Sequence, residues 1–149
     1  MFIDFLKAIG ELVRLDVKTM MGILIWGNLA LALLTLRYFL NHESDYEKNL
    51  IQKFGIAKIF QATAWLLLFL RGDINDIFSV HFGNILLFVG FYLDSFVILK
   101  MNKKTKIIWF RLQTVLLALS IISFLLFEIL LGTPNIRIAI ASLSIFCIL

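Results

Sequence analysis

Long apolar runs alternate with short polar breaks along this chain. Met21–Leu40, Gly55–Leu70, Ile77–Leu99 and Ile107–Leu131 are each bounded by charge, and a fifth run, Ile136–Leu149, is still apolar at the last residue. A bilayer core of about 30 Å takes roughly 20 helical residues at about 1.5 Å each, and these runs approach or exceed that length. The pattern predicts an all-α fold, a polytopic transmembrane helix bundle with about five spans visible. The second run is short, about 25 Å as a helix, and carries Lys58 and Gln61 in its first half.

The breaks read as connections. Asn41–Phe54 is a polar loop with His42, Glu43, Asp45, Glu47, Lys48 and Lys53; Arg71–Asp76 is a short loop with turn chemistry at Gly72 and Asp73. Lys100–Lys106 holds four lysines and no acid, and Gly132–Asn135 is a tight turn containing the only proline. Ahead of the first run, Phe2, Phe5, Leu6, Ile9, Leu12, Val13 and Val17 recur at helical spacing, with charge on the remaining arc. Residues 1–20 therefore form an amphipathic helix, which either lies in the membrane interface or caps the bundle. Residues 21–149 form the membrane domain. That domain reads as incomplete at its C-terminal end, because a spanning helix normally has polar anchors beyond it.

Composition supports the membrane as solvent. Hydrophobic residues make up 61% of the chain and charged ones 16%, where soluble domains sit near about 25% charged. The net charge of +4 does not point to nucleic acid, because the basic residues gather in loops. The loops after the first and third runs hold Arg37, Lys48 and Lys53, then Lys100, Lys103, Lys104, Lys106 and Arg111, whereas the other two have only Arg71 and Arg137 near them. Basic loops face the cytoplasm, so the N-terminus is expected outside. The leader lacks the pattern of a cleavable signal. The single cysteine, Cys147, can make no intrachain disulfide and has no metal-ligand companions. No Walker loop, metalloprotease helix or nucleophile elbow occurs, so no catalytic residue, metal or cofactor is assigned.

Ionisable groups within apolar spans are costly and are candidates for function. Lys58 and Asp94 sit at similar depth on antiparallel runs and form a possible intramembrane pair. Glu128 and Arg137 flank the last turn and could pair likewise. His81 and Asn84 share a face of the third run, and Gln61 of the second could face them; these three are the candidate polar ligand site, with interhelical hydrogen bonding as the alternative. Gly83 and Gly90, seven apart, would permit close helix approach.

The stretch Ala64–Gly90 carries Arg71, Gly72, Asp76, Ser79, Asn84 and Gly90 at a spacing that resembles the N-terminal membrane regions of bacterial GGDEF-type diguanylate cyclases. Leu15–Met20 is similar to a leader element of those proteins, and Asn75 departs from the family's usual proline. The resemblance covers roughly residues 12–100. It implies a multi-pass sensory or anchoring region in the bacterial inner membrane, joined to a cytoplasmic domain that makes cyclic di-GMP. No GGDEF sequence is present, so this chain is expected to have no enzymatic activity of its own. Its expected partners are the lipid bilayer, an unknown small ligand and a second copy in a homodimer, with no nucleic acid. A small transporter or channel component, or a truncated-gene remnant acting only as an anchor, are the alternatives.

Overall fold

The computed structural model describes residues 17–41, 44–102, 105–131 and 134–148, within which the side chains from 128 to 138 are left undescribed. The amphipathic leader and the Glu128–Arg137 pairing therefore lie outside the described residues. Among the described residues five α-helices follow one another: α1 (Val17–Asn41), α2 (Asp45–Phe69), α3 (Gly83–Met101), α4 (Ile107–Leu131) and α5 (Pro134–Ile148). A π-helical turn, Ile77–Phe82, runs into α3 without a break. Among the described residues there is no strand beyond one isolated bridge, Arg71 to Ile74.

Three of these elements are long and apolar enough to cross a membrane: Val17–Asn41, Ile77–Met101 and Ile107–Phe127. α2 has the length but opens on Asp45, Glu47, Lys48 and Lys53, and the described apolar part of α5, Ala139–Ile148, is short.

The polar stretch before Gly55 is helical from Asp45 onward, not a loop. Asp45 and Glu47 are exposed and Lys48 and Lys53 half-buried, while Leu50 is buried and Ile51 and Phe54 are half-buried. Asp45 and Glu47 lie in the first turn, where negative charge complements the helix dipole. Likewise Pro134 and Asn135 open α5 rather than sit in a turn; proline fits a first helical position, where its missing N–H has no partner to lose.

Neighbours in sequence are neighbours in space. α1 packs on α2, α2 on α3, and α3, α4 and α5 pack on one another. The pairs α1–α2, α2–α3 and α3–α4 run antiparallel. Lys18 near the start of α1 lies over the Phe69 ring at the end of α2, and Tyr46 at the start of α2 bonds the Lys100 carbonyl at the end of α3. Tyr92 meets Thr114, and Phe96 meets Phe110. One apolar cluster, Val80, Phe88, Phe124 and Ile148, fills the space between α3, α4 and α5, with Phe88 and Phe124 edge to face at 5.8 Å.

The partition of polar and apolar groups is inverted relative to a soluble domain. Among the described residues, ten apolar and ten polar or charged residues are buried, and large apolar side chains such as Trp26, Leu33, Ile98, Ile122 and Phe146 are exposed. Water would reward the opposite arrangement. A hydrocarbon solvent rewards this one, because polar groups there must find partners inside the protein.

Candidate functional site: a polar cluster between the second and third helices

The α2–α3 seam is built from small residues. Ala57 and Ala64 of α2 are wholly buried, and they face Gly90 and Gly83 of the antiparallel stretch. A Cβ built on Gly90 would lie 2.7 Å from Gln61 Cγ and 3.2 Å from the Ala57 carbonyl oxygen; one on Gly83 would lie 3.3 Å from Leu68 Cγ and 3.5 Å from the Ala64 carbonyl oxygen. The backbones thus come close only because neither glycine has a side chain, which is how helices associate where no hydrophobic effect drives them together.

Against this seam sits a closed triangle of polar groups. Lys58 and Gln61, three residues apart on α2, share one helix face, and Asp94 comes from α3. The Lys58 ammonium forms an ion pair with Asp94 Oδ2 and donates to Gln61 Oε1 at 3.2 Å. Gln61 Nε2 donates to the same Asp94 oxygen at 2.6 Å. The Phe54 ring, one turn earlier, lies 4.8 Å from Lys58 Nζ, within range of a cation–π contact. All three polar residues are buried. Asp94 Oδ1 is buried as well and has no hydrogen-bond partner.

A buried ion pair has to recover the large cost of desolvating both charges. Here the glutamine bonds both partners, which offsets part of that cost and fixes the spacing of the helices. The triangle can hold α2 against α3 in one register. No group of three metal-ligating side chains occurs among the described residues.

The three residues considered as a ligand site have different surroundings. Gln61 belongs to the triangle. Asn84 is buried and donates to the Val80 carbonyl of its own helix at 2.7 Å. His81 is half-buried, with Nδ1 3.3 Å from the Asp76 carbonyl oxygen and its ring edge to face with Phe124 at 6.4 Å. The residues of the Arg71–Gly90 pattern spread along the same hairpin. Arg71 and Asp76 are exposed. Gly72 has φ +95°, a conformation that side-chain-bearing residues rarely adopt. Asn75 Oδ1 accepts the Ile77 backbone N–H at 2.9 Å, an Asx-type turn. Ser79 is buried with its hydroxyl unpartnered.

Two polar anchors were missed in the sequence reading. Ser95 Oγ and Gln113 Nε2, both buried, donate to the Ile148 carbonyl at 3.0 and 3.4 Å, tying the end of α5 to α3 and α4. Isolated serines and glutamines in apolar runs announce such a role only by their polarity. The position of Ser95 beside Asp94 was the one available hint. No protein-family model, curated protein or solved structure matches this chain.

Proposed function

We propose that this chain is a membrane-embedded input module of a bacterial signalling protein, with five spans, its N-terminus outside the inner membrane and no catalysis of its own. The inverted partition of buried polar and exposed apolar side chains carries the membrane reading. α2 and α5 join the three long apolar helices because of where they pack. α2 runs antiparallel along both α1 and α3, so a bilayer holding those two also encloses α2, whose inner polar groups are turned onto Asp94. Loop charge supports the orientation, and the Arg71–Gly90 pattern supports the link to cyclic di-GMP signalling.

The Lys58–Gln61–Asp94 triangle favours an input role over a plain anchor. An anchor needs only apolar helices, whereas a polar latch between two helices can hold one packing until a stimulus favours another, and sensing requires such a pair of states. The unpartnered Asp94 Oδ1 gives some weight to an ion-handling component instead; the lysine on Oδ2 opposes it by occupying the site with a fixed cation. A small ligand and a homodimer remain part of the proposal, since a ligand would supply the bias and paired output domains would use the dimer.

The test has two stages. With Cys147 replaced by serine, single cysteines at Asp73 and Asn102 are labelled with an impermeant maleimide. The proposal expects Asp73→Cys to react in intact spheroplasts and Asn102→Cys only after lysis. A cyclic di-GMP-producing domain is then joined after Leu149, and Lys58→Met is compared with the unaltered chain. Equal output at equal abundance would reduce the module to an anchor.

A further inference from the structure

Where α1 ends, α2 begins and α3 ends, the fold leaves an apolar groove of about 780 Å³. Small-molecule sites run from about 300 to 1,000 Å³ and combine apolar walls with a few placed polar groups. Much of this lining comes from α2. Tyr46, Leu50 and Phe54 recur at every fourth residue, and Glu47 and Ile51 run beside them at the same interval, so all five share one helix face. Leu34 of α1 and Val97 and Met101 of α3 complete the apolar walls. Among the described residues that line the groove, Glu47 alone is charged. The nearest lysine in the adjoining hollow, Lys100, lines that hollow and not the groove. The aromatic rings add an attraction of the same sense, because a ring face favours a cation. Two of them hold ammonium groups already: Lys58 Nζ lies 4.8 Å from the Phe54 centroid and Lys100 Nζ 5.9 Å from that of Tyr46.

We propose that the groove binds a lipophilic cation, an apolar body carrying one positive charge, with the body on the apolar walls and the charge at Glu47. The occupant follows from the lining. A hydrated metal ion would leave the apolar walls unused, a neutral acyl chain would leave the carboxylate unmatched, and a lipophilic anion would meet it with like charge. Glu47 is exposed and has an interaction of its own, but a carboxylate offers about four acceptor positions, so one contact does not exhaust it. Such a molecule partitions into the bilayer and reaches the groove from the side. The proposal rests on the chain being membrane-embedded, and it goes further by naming a chemical class for the small ligand and a place for it.

Tetraphenylphosphonium and tetraphenylborate are matched probes, alike in shape and apolar surface and opposite in charge. The full chain is purified in neutral detergent, and binding of each ion is measured by equilibrium dialysis against protein-free micelles. One phosphonium per chain is expected, bound roughly tenfold more tightly than the borate, since the carboxylate and the rings attract one ion and repel the other. Glu47→Gln should weaken the phosphonium about fivefold, the upper worth of an exposed ion pair, and bring the two affinities together. Glu47→Asp keeps the charge and should keep the preference. Met101→Trp, at an exposed position on the groove wall, should weaken both ions. Equal affinity for the two ions would leave the groove to neutral acyl chains, and tighter borate would give it to anions; either overturns the proposal. A preference that survives Glu47→Gln, or phosphonium binding untouched by Met101→Trp, would overturn the placement. Extraction of the chain from membranes by carbonate would instead sink the membrane reading, so the two failures are distinguishable.

Discussion

Replacing Gly90 with alanine tests the α2–α3 seam with one carbon atom. That carbon would sit 2.7 Å from Gln61 Cγ, 3.2 Å from the Ala57 carbonyl oxygen and 3.4 Å from the Gln61 backbone nitrogen. The first contact could be relieved by moving a side chain, but Gln61 is held by bonds to Lys58 and Asp94. The other two are backbone atoms, so relief requires the helices to part. Overpacking of this kind costs about 1–3 kcal/mol. Losing the hydrogen bond from Gln61 to a charged carboxylate adds about 1.5–3 kcal/mol. Alanine's better helix propensity returns about 1 kcal/mol. The net expectation is destabilisation by about 1.5–5 kcal/mol, read by reversible unfolding in mixed micelles. Gly22→Ala and Gly27→Ala are the controls, because a Cβ at either meets nothing within 4 Å, and each should gain up to about 1 kcal/mol from alanine's better helix propensity. Gln61→Ala removes the nearest clashing atom, so Gly90→Ala should lose at least half its cost in that background, a coupling that a double-mutant cycle measures. A Gly90→Ala chain as stable as the original, or a cost unchanged by Gln61→Ala, would refute the reasoning.

Other substitutions probe the remaining polar features. Lys58→Met or Asp94→Leu alone strands a buried charge and should cost about 3–5 kcal/mol; the double change should be milder than either, and an additive double would show that the two do not act as a pair. Gly72→Ala forces a side chain into the positive-φ region and should cost about 1–2 kcal/mol, seen as a lower unfolding midpoint, with Gly72→Asn less severe. Ser79→Ala deletes a hydroxyl that has no partner and should be neutral or stabilising by about 1 kcal/mol; a clear loss of stability would mean that the hydroxyl is bonded in the folded protein.

Helices that read plainly in the sequence were those whose whole circumference is apolar. α4 spans the same residues, Ile107–Leu131, as the apolar run that signals it, and the third run begins where the π-helical turn begins. α2 was half hidden. Its first three turns carry Asp45, Glu47, Lys48 and Lys53 between Tyr46, Leu50 and Phe54, a period-four signal that the density of charge obscures. Lys58 and Asp94 could be matched from depth alone, because an antiparallel pair of known ends fixes which residues are level. Gln61, three residues after Lys58, shares the lysine's face and bonds it, a pairing within one helix that matching depths between helices does not bring out. The apolar groove had no sequence signature, since it exists only where the ends of three helices come together.

The π-helical turn gives the chain a spare residue. Deleting one residue from an α-helix rotates everything beyond it by about 100° and draws it back about 1.5 Å. Between Gly83 and Asp94 such a loss would swing Asp94 away from Lys58. Within Ile77–Phe82 the wider coil already holds one residue more than an α-turn needs, so a single deletion there lets the segment close into ordinary α-geometry and leaves the face beyond it in register. Length variation in this helix is therefore tolerated on one side of Gly83 and not on the other. Natural variants of the chain that differ by one residue in the third span should carry that difference within those six positions.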